Sequence, residues 1–100
     1  MITIGEPYPA RGEDAQARNI RKRRVCYVTA GVPTPEQKKQ IERIEKGVVD
    51  GEWNGDPNHT MRNAEFMGID FYEEEIRADG KWHRVDDPDV AISLMQTGAL

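Results

Sequence analysis

With 100 residues and a mean hydropathy of −0.78, the chain has room for one small domain and contains no apolar run long enough for a transmembrane helix. Apolar residues make up 37% of the chain and recur in periodic clusters, which favours a folded domain over a disordered chain. A single cysteine excludes an internal disulfide, and without a charged-then-apolar pattern we expect no secretion leader. We therefore expect a soluble, cytoplasmic protein.

The net charge of −4 is unevenly distributed along the chain. Residues 1–50 carry ten Lys or Arg and seven Asp or Glu, whereas residues 51–100 carry four and eleven. A basic segment can bind nucleic acid, and an acidic segment can repel or imitate it. Net charge by itself therefore does not decide between a nucleic acid and a protein as the partner.

Residues 1–17 are predicted to form an irregular arm, because Gly5, Pro7, Pro9 and Gly12 interrupt regular structure. Within this arm the sequence is compatible with a short strand near the first four residues and a short helix after Asp14. The whole chain, residues 1–100, is expected to form one domain that includes this arm.

A basic cluster leads into residues 25–29, which are rich in β-prone residues and are predicted to form a central strand. Arginine presents forked donors that fit phosphate oxygens, and tyrosine can stack on a base. The cluster is alternatively a solvated face, or a patch that meets the acidic half of another subunit. Cys26 is either a thiol activated by these cations or a small apolar strand residue. The nucleic-acid-binding hypothesis uses Arg18, Arg21, Lys22, Arg23, Arg24 and Tyr27.

Three short helices are predicted after this strand, over residues 34–46, 57–67 and 88–97. The first has a capping box formed by Thr34 and Gln37. A glycine follows each helix and is predicted to end it. The last helix is the most apolar, and is expected either to be the main core element or to leave Ile92 and Leu100 exposed for a subunit contact. The terminating glycines are Gly47, Gly68 and Gly98.

Residues 69–86 are predicted to form a β-hairpin around the loop Ala78-Asp79-Gly80. With Gly80 in the left-handed conformation, Ile76 pairs with Trp82, so that two large apolar groups meet. The same register pairs Glu74 with Arg84 and Glu75 with His83. A two-residue loop would instead set Arg77 against Trp82.

Together these elements predict an α+β fold, with a small, mainly antiparallel β-sheet of three or four strands covered by two or three short helices. No catalytic or metal site is indicated, because His59, Asn63 and His83 lack the spacing that fixes metal ligands. Glycine-rich phosphate loops and nucleophile motifs are also missing from the sequence. We expect no enzymatic activity and no cofactor.

The function that this pattern favours is a non-enzymatic protein-interaction module, such as the small inhibitors or adaptors of phages and mobile elements that bind nucleic-acid machinery through an acidic surface. Such a surface would contact a basic partner or imitate nucleic acid. The alternative is a nucleic-acid-binding regulator that uses the basic cluster at residues 18–24. A membrane partner is not expected, whereas a homodimer would bury more surface. The predicted acidic contacts are Asp70, Glu73, Glu74, Glu75, Asp86, Asp87 and Asp89.

Overall fold

The structure, a computed structural model, describes residues 1–50, 63–85, 88–96 and 98. It has the predicted α+β architecture, in which an antiparallel sheet packs with short helices. None of the helices in the described residues is long and apolar enough to cross a membrane. In chain order the elements are β1 (Ile2–Ile4), β2 (Tyr8–Pro9), α1 (Glu13–Ala17), β3 (Ile20–Val28), α2 (Pro35–Asp50), α3 (residues 63–66), β4 (Asp70–Arg77), β5 (Trp82–Arg84) and α4 (Pro88–Gln96).

Strand β3 is the centre of the sheet, whose order is β1-β3-β4-β5. It pairs along one side with β4, while β1 and β2 pair with successive parts of its other side. The predicted central strand is therefore confirmed, and it begins earlier than expected, at Ile20. As a result, most of the basic cluster lies within the sheet instead of preceding it.

The N-terminal arm is more regular than predicted. The short strand and the short helix that its sequence allows are present as β1 and α1, and β2 lies in the stretch that was expected to be irregular. Gly5 allows close contact with β3, since a Cβ atom there would lie 2.5 Å from the carbonyl oxygen of Val25. Its N–H donates to the same oxygen over 2.9 Å. Pro9 is tolerated because β2 lies at the edge of the sheet, where a missing N–H costs little. These residues therefore divide the edge into two short strands.

The hairpin has the predicted register, with Ile76 opposite Trp82, Glu75 opposite His83 and Glu74 opposite Arg84. Gly80 adopts a positive φ of 76°, as the three-residue loop requires. The prediction of the loop and of its pairing is confirmed.

Helix α2 begins with the predicted capping box. The Thr34 N–H donates to Gln37 Oε1 over 2.9 Å, and the Gln37 N–H donates to Thr34 Oγ1 over 3.2 Å. The helix does not end at Gly47 but continues to Asp50, so that prediction was wrong. Val48, one residue further, packs against the core, and this tertiary contact offsets the cost of about 1 kcal/mol for glycine within a helix.

Gly68 ends α3, as predicted, with a positive φ of 74°. The Gly68 N–H donates to Glu65 O over 3.0 Å and the Ile69 N–H to Ala64 O over 2.9 Å, which is the Schellman arrangement. Gln37 Nε2 also donates to Met67 O over 2.7 Å and joins this turn to the start of α2. The first part of the predicted helix, residues 57–62, lies outside the described residues.

Helix α4 covers most of its predicted range, and Gly98 follows it with a positive φ of 70°. Only Leu94 of this helix is fully buried, and Ile92 is 48% exposed. The expectation that α4 is the main core element was therefore wrong, because α2 takes that role. Leu100, the other residue expected to be exposed, lies outside the described residues.

The core lies between one face of the sheet and helices α2 and α3. Because side chains alternate along a strand, Val25, Tyr27 and Phe71 share this helix-packed face. The other side of the sheet, called here the second face, carries Lys22, Arg24, Cys26, Tyr72, Glu74 and Ile76. The cluster of buried residues that fills the core is Val25, Tyr27, Ile41, Ile44, Ala64 and Ile69.

Candidate interaction surface

The basic and acidic runs of the sequence lie side by side in the sheet. Strand pairing sets Arg23 opposite Glu75 and Arg24 opposite Glu74. Opposite charges directly across an antiparallel pair attract each other. The cations of β3 therefore meet the acidic residues of β4 within one chain, without a second subunit.

Glu75 is a structural carboxylate, because only 1% of the residue is exposed. Its Oε1 accepts from Arg18 Nη2 over 2.6 Å and from Arg77 Nη2 over 2.9 Å. These bonds join the end of α1 to β4. The second oxygen, Oε2, is buried without a hydrogen-bond partner among the described residues. Glu75 thus belongs to the internal packing and not to a partner-binding surface, whereas the Arg18 side chain, although paired with it, remains 43% exposed.

Arg24 makes a second fixed contact with the acidic strand, on the second face of the sheet. Its Nε and Nη2 atoms both lie 2.6 Å from Glu74 Oε2. Its guanidinium carbon lies 4.1 Å from the centroid of the Trp82 ring, which is a cation–π distance. Sequence reasoning missed this contact, because the alternative hairpin register considered only Arg77 as the cation beside Trp82.

Tyr27 and Cys26 are both buried in β3, so neither acts as the exposed group that the sequence suggested. Tyr27 is fully buried in the core and cannot stack on a base, which corrects its proposed role. Burial also raises the pKa of its hydroxyl. Cys26 is 1% exposed, and burial raises the pKa of its thiol, so the nearby arginines do not activate it.

Of the seven acidic residues predicted to bind a partner, the five that the structure describes do not form one surface. Glu74 and Glu75 are used in the ion pairs described above. Glu73 is half-buried on the helix-packed face. The pKa of Tyr8 is raised to about 12, mainly by the burial of its hydroxyl and secondly by the negative charge of Glu73. Asp70 is half-buried on the second face, and Asp89 is exposed on α4. Asp86 and Asp87 lie outside the described residues.

Several cations remain exposed where β3 begins and the hairpin turns. Arg21 lies at a bulge between Ile20 and Lys22, and Lys22 is paired with Ile76 close to the hairpin loop. Neither Arg21 nor Lys22 forms an ion pair with a described residue, in contrast to Arg18, Arg23 and Arg24. The exposed cations that gather here are named the basic end: Arg18, Arg21, Lys22, Arg77 and Lys81.

The carboxylates near the basic end are held by particular partners. Asp14 lies 3.5 Å from both Arg18 and Arg23. Asp79 Oδ2 lies 2.8 Å from His83 Nε2. The pKa of Asp79 is lowered, first by the N–H of Lys81 and then by His83. These contacts leave Arg21 and Lys22 available to an external anion.

Of the remaining candidate residues for chemistry, the structure describes Asn63 and His83, which lie on different elements. His83 belongs to the hairpin contact with Asp79, and Asn63 is exposed at the start of the described part of α3. In the part of the chain that the structure describes, no group of three or more His, Cys, Asp or Glu side chains is arranged to hold a metal ion. His59 lies outside that part.

Comparison with protein-family models, with curated proteins and with solved structures gave no match to this chain. Its function therefore has to be argued from the chemistry of the described surfaces. The basic end and the second face next to it are the best-defined of these.

Proposed function

We propose that the chain is a non-enzymatic nucleic-acid-binding module that contacts phosphates through the basic end. The observation that carries this proposal is that Arg21 and Lys22 are exposed and unpaired among the described residues, although their neighbours in sequence are held by carboxylates. Arginine and lysine that neutralise phosphates release counterions, which drives binding without a sequence-specific contact. The proposal keeps the nucleic-acid-binding hypothesis of the sequence analysis but replaces its contact residues by those of the basic end.

Of the original cluster, Arg21 and Lys22 keep the phosphate-binding role, whereas Arg23 and Arg24 have ion pairs inside the fold. Lys81 and Arg77 join them through the hairpin, although they are far away in sequence. The net charge of −4 is compatible with this role, because binding depends on the local arrangement of charge and not on the total.

The proposal is tested with the double variant Arg21→Gln/Lys22→Gln in anisotropy titrations of labelled DNA and RNA at several salt concentrations. Loss of two phosphate contacts should reduce the slope of log K against log salt by about 1.4–1.8 and weaken binding at low salt. Lys38→Gln/Lys39→Gln is the matched control, because it removes the same charge from exposed positions near the start of α2.

The Gln37–Met67 hydrogen bond places the start of α2 beside the turn that precedes β4. The hairpin loop follows the other end of β4, so the control positions lie away from the basic end. The control should therefore bind as the unsubstituted chain does. Absence of salt-sensitive binding, or equal losses in both double variants, would reject the basic end as a nucleic-acid contact.

A second candidate function is protein binding, as an inhibitor or adaptor. In this version the partner contacts helix α4 instead of the acidic hairpin. This version is favoured by the exposure of Ile92 and Met95, at 48% and 63%, on the same helix as the exposed Asp89. Exposed apolar side chains with an acidic neighbour suit a partner surface that is apolar and basic. A protein captured by the unsubstituted chain should be lost with Ile92→Ser/Met95→Ser, and its retention would argue against α4.

A further inference from the structure

The second face of the sheet carries an aromatic and cationic group of side chains next to the basic end. The strand register places Lys22, Ile76 and Trp82 in one row across the sheet. The adjacent row consists of Arg24, Glu74 and Arg84. Neighbouring strands are about 4.8 Å apart, so each row spans about 10 Å from β3 to β5. This size suits a short stretch of an extended polymer better than a small ligand.

The centre of this area is the Arg24–Trp82 pair. The guanidinium carbon lies 4.1 Å from the ring centroid, and two of the arginine nitrogens lie 2.6 Å from Glu74 Oε2. Arg24 is therefore held by a carboxylate and an aromatic ring at the same time. Such fixation lowers the conformational entropy that a side chain loses when a ligand binds. Both planar groups are of the kind on which nucleobases stack.

We propose that this half of the second face binds single-stranded nucleic acid, with a base stacked on the Arg24–Trp82 pair and phosphates contacted by Lys22 and Arg84. The inference rests on the proposed function and adds the class of ligand. Charge complementarity selects a polyanion, since Lys22 and Arg84 are exposed cations on both sides of the pair. The aromatic group selects a single strand, because the base faces of a duplex are covered by their stacked neighbours whereas those of a single strand are open.

The first test uses Trp82→Leu, measured by anisotropy with a labelled 12-nucleotide single strand and with a duplex of the same length. Single-strand affinity should fall about 5- to 150-fold, as expected for the loss of one stacked base, while duplex binding should change little. In a Trp53→Phe background, Trp82 is the only tryptophan, so its fluorescence should be quenched by the single strand. Thermal unfolding followed by circular dichroism verifies that each variant is folded.

Arg24→Lys is the second variant, because it keeps the positive charge and removes the planar group. It should weaken single-strand binding without changing the salt slope, whereas Arg21→Gln/Lys22→Gln should lower that slope. If Trp82→Leu does not fold, Arg24→Lys and the quenching experiment decide instead. The two proposals fail in different ways. The stacking site would be overturned by unchanged single-strand affinity in Trp82→Leu or Arg24→Lys, or by the absence of quenching, and the basic end would then still stand. If the unsubstituted chain does not bind nucleic acid at all, both proposals are rejected.

Discussion

Glu75 shows at the scale of a single residue why a run of acidic residues is a poor guide to a binding surface. It lies between Glu74 and Ile76 on a strand with many charges, yet it is one of the most buried side chains of the described residues. Its charge is compensated by Arg18 and Arg77, whose side chains are 43% and 44% exposed. A buried carboxylate is retained in a fold only when such partners are present.

We predict that Glu75→Gln lowers the free energy of unfolding by about 1–3 kcal/mol. The amide keeps the shape of the side chain but loses both charged contacts. The loss should remain below the 3–5 kcal/mol typical of a broken buried pair, because both arginines can turn into water. Urea unfolding followed by circular dichroism measures the change.

Glu73→Gln is the control for this prediction, since Glu73 is half-buried on the same strand and forms none of the ion pairs described above. Its effect should stay within about 0.5 kcal/mol. Equal effects of the two substitutions would mean that the arginine contacts of Glu75 do not stabilise the fold.

At the scale of the elements, glycine illustrates the difference between a local signal and its tertiary context. Gly68 and Gly47 both follow a run of helix-forming residues, and both were expected to stop a helix. Gly68 has a positive φ and ends α3, whereas Gly47 continues α2 without a left-handed conformation. The contact of Val48 with the core accounts for the difference at Gly47.

The same substitution at these two glycines should therefore have opposite effects. Gly68→Ala should destabilise the protein by about 1–2 kcal/mol, because a side chain is strained at a φ of 74°. Gly47→Ala should stabilise it by about 0.4–1 kcal/mol, because alanine favours the helix and the added Cβ meets no described atom within 4 Å beyond its chain neighbours and the backbone of its own helix. Thermal or urea unfolding of the two variants compares them directly, and a change of the same sign in both would refute this explanation.

At the scale of the whole molecule, the two oppositely charged halves of the sequence meet inside one sheet. They are joined by the pairing of β3 with β4, and the ion pairs Arg18–Glu75 and Arg24–Glu74 connect the two halves. The N-terminal segment completes this arrangement, because β1 and β2 cover the other side of β3. The central strand is thus paired on both sides, which protects its apolar residues from pairing with another chain.

Removal of residues 1–9 should destabilise the domain and promote self-association. Two of the lost main-chain hydrogen bonds, Gly5 N–H to Val25 O and Thr29 N–H to Met1 O, represent about 2 kcal/mol by themselves. The uncovered edge of β3 would then be open to a second chain. Urea unfolding and light scattering measure the two effects.

Ile4→Thr is the control for the truncation, because it keeps β1 while it replaces an exposed apolar side chain. This variant should remain folded and monodisperse. A truncated chain as stable and as monodisperse as the complete one would show that β1 and β2 contribute nothing to the sheet.

The hairpin loop, the capping box of α2 and the glycine ends of α3 and α4 were determined by the sequence itself. Each is specified by residues only a few positions apart, so the chemistry of the turn or cap is visible locally. The α+β class followed from the order of these elements.

Only the tertiary structure decided which charges remain exposed, which residues form the N-terminal strands and which helix builds the core. The Arg24–Glu74 contact joins residues 50 positions apart, and the Arg18–Glu75 contact spans 57. No local pattern specifies such pairs, because they depend on the alignment of β3 with β4. The candidate site was therefore predictable as a basic cluster that includes Arg21 and Lys22, but the ion pairs that distinguish these two from Arg23 and Arg24, and the Arg24–Trp82 contact, depend on the tertiary structure.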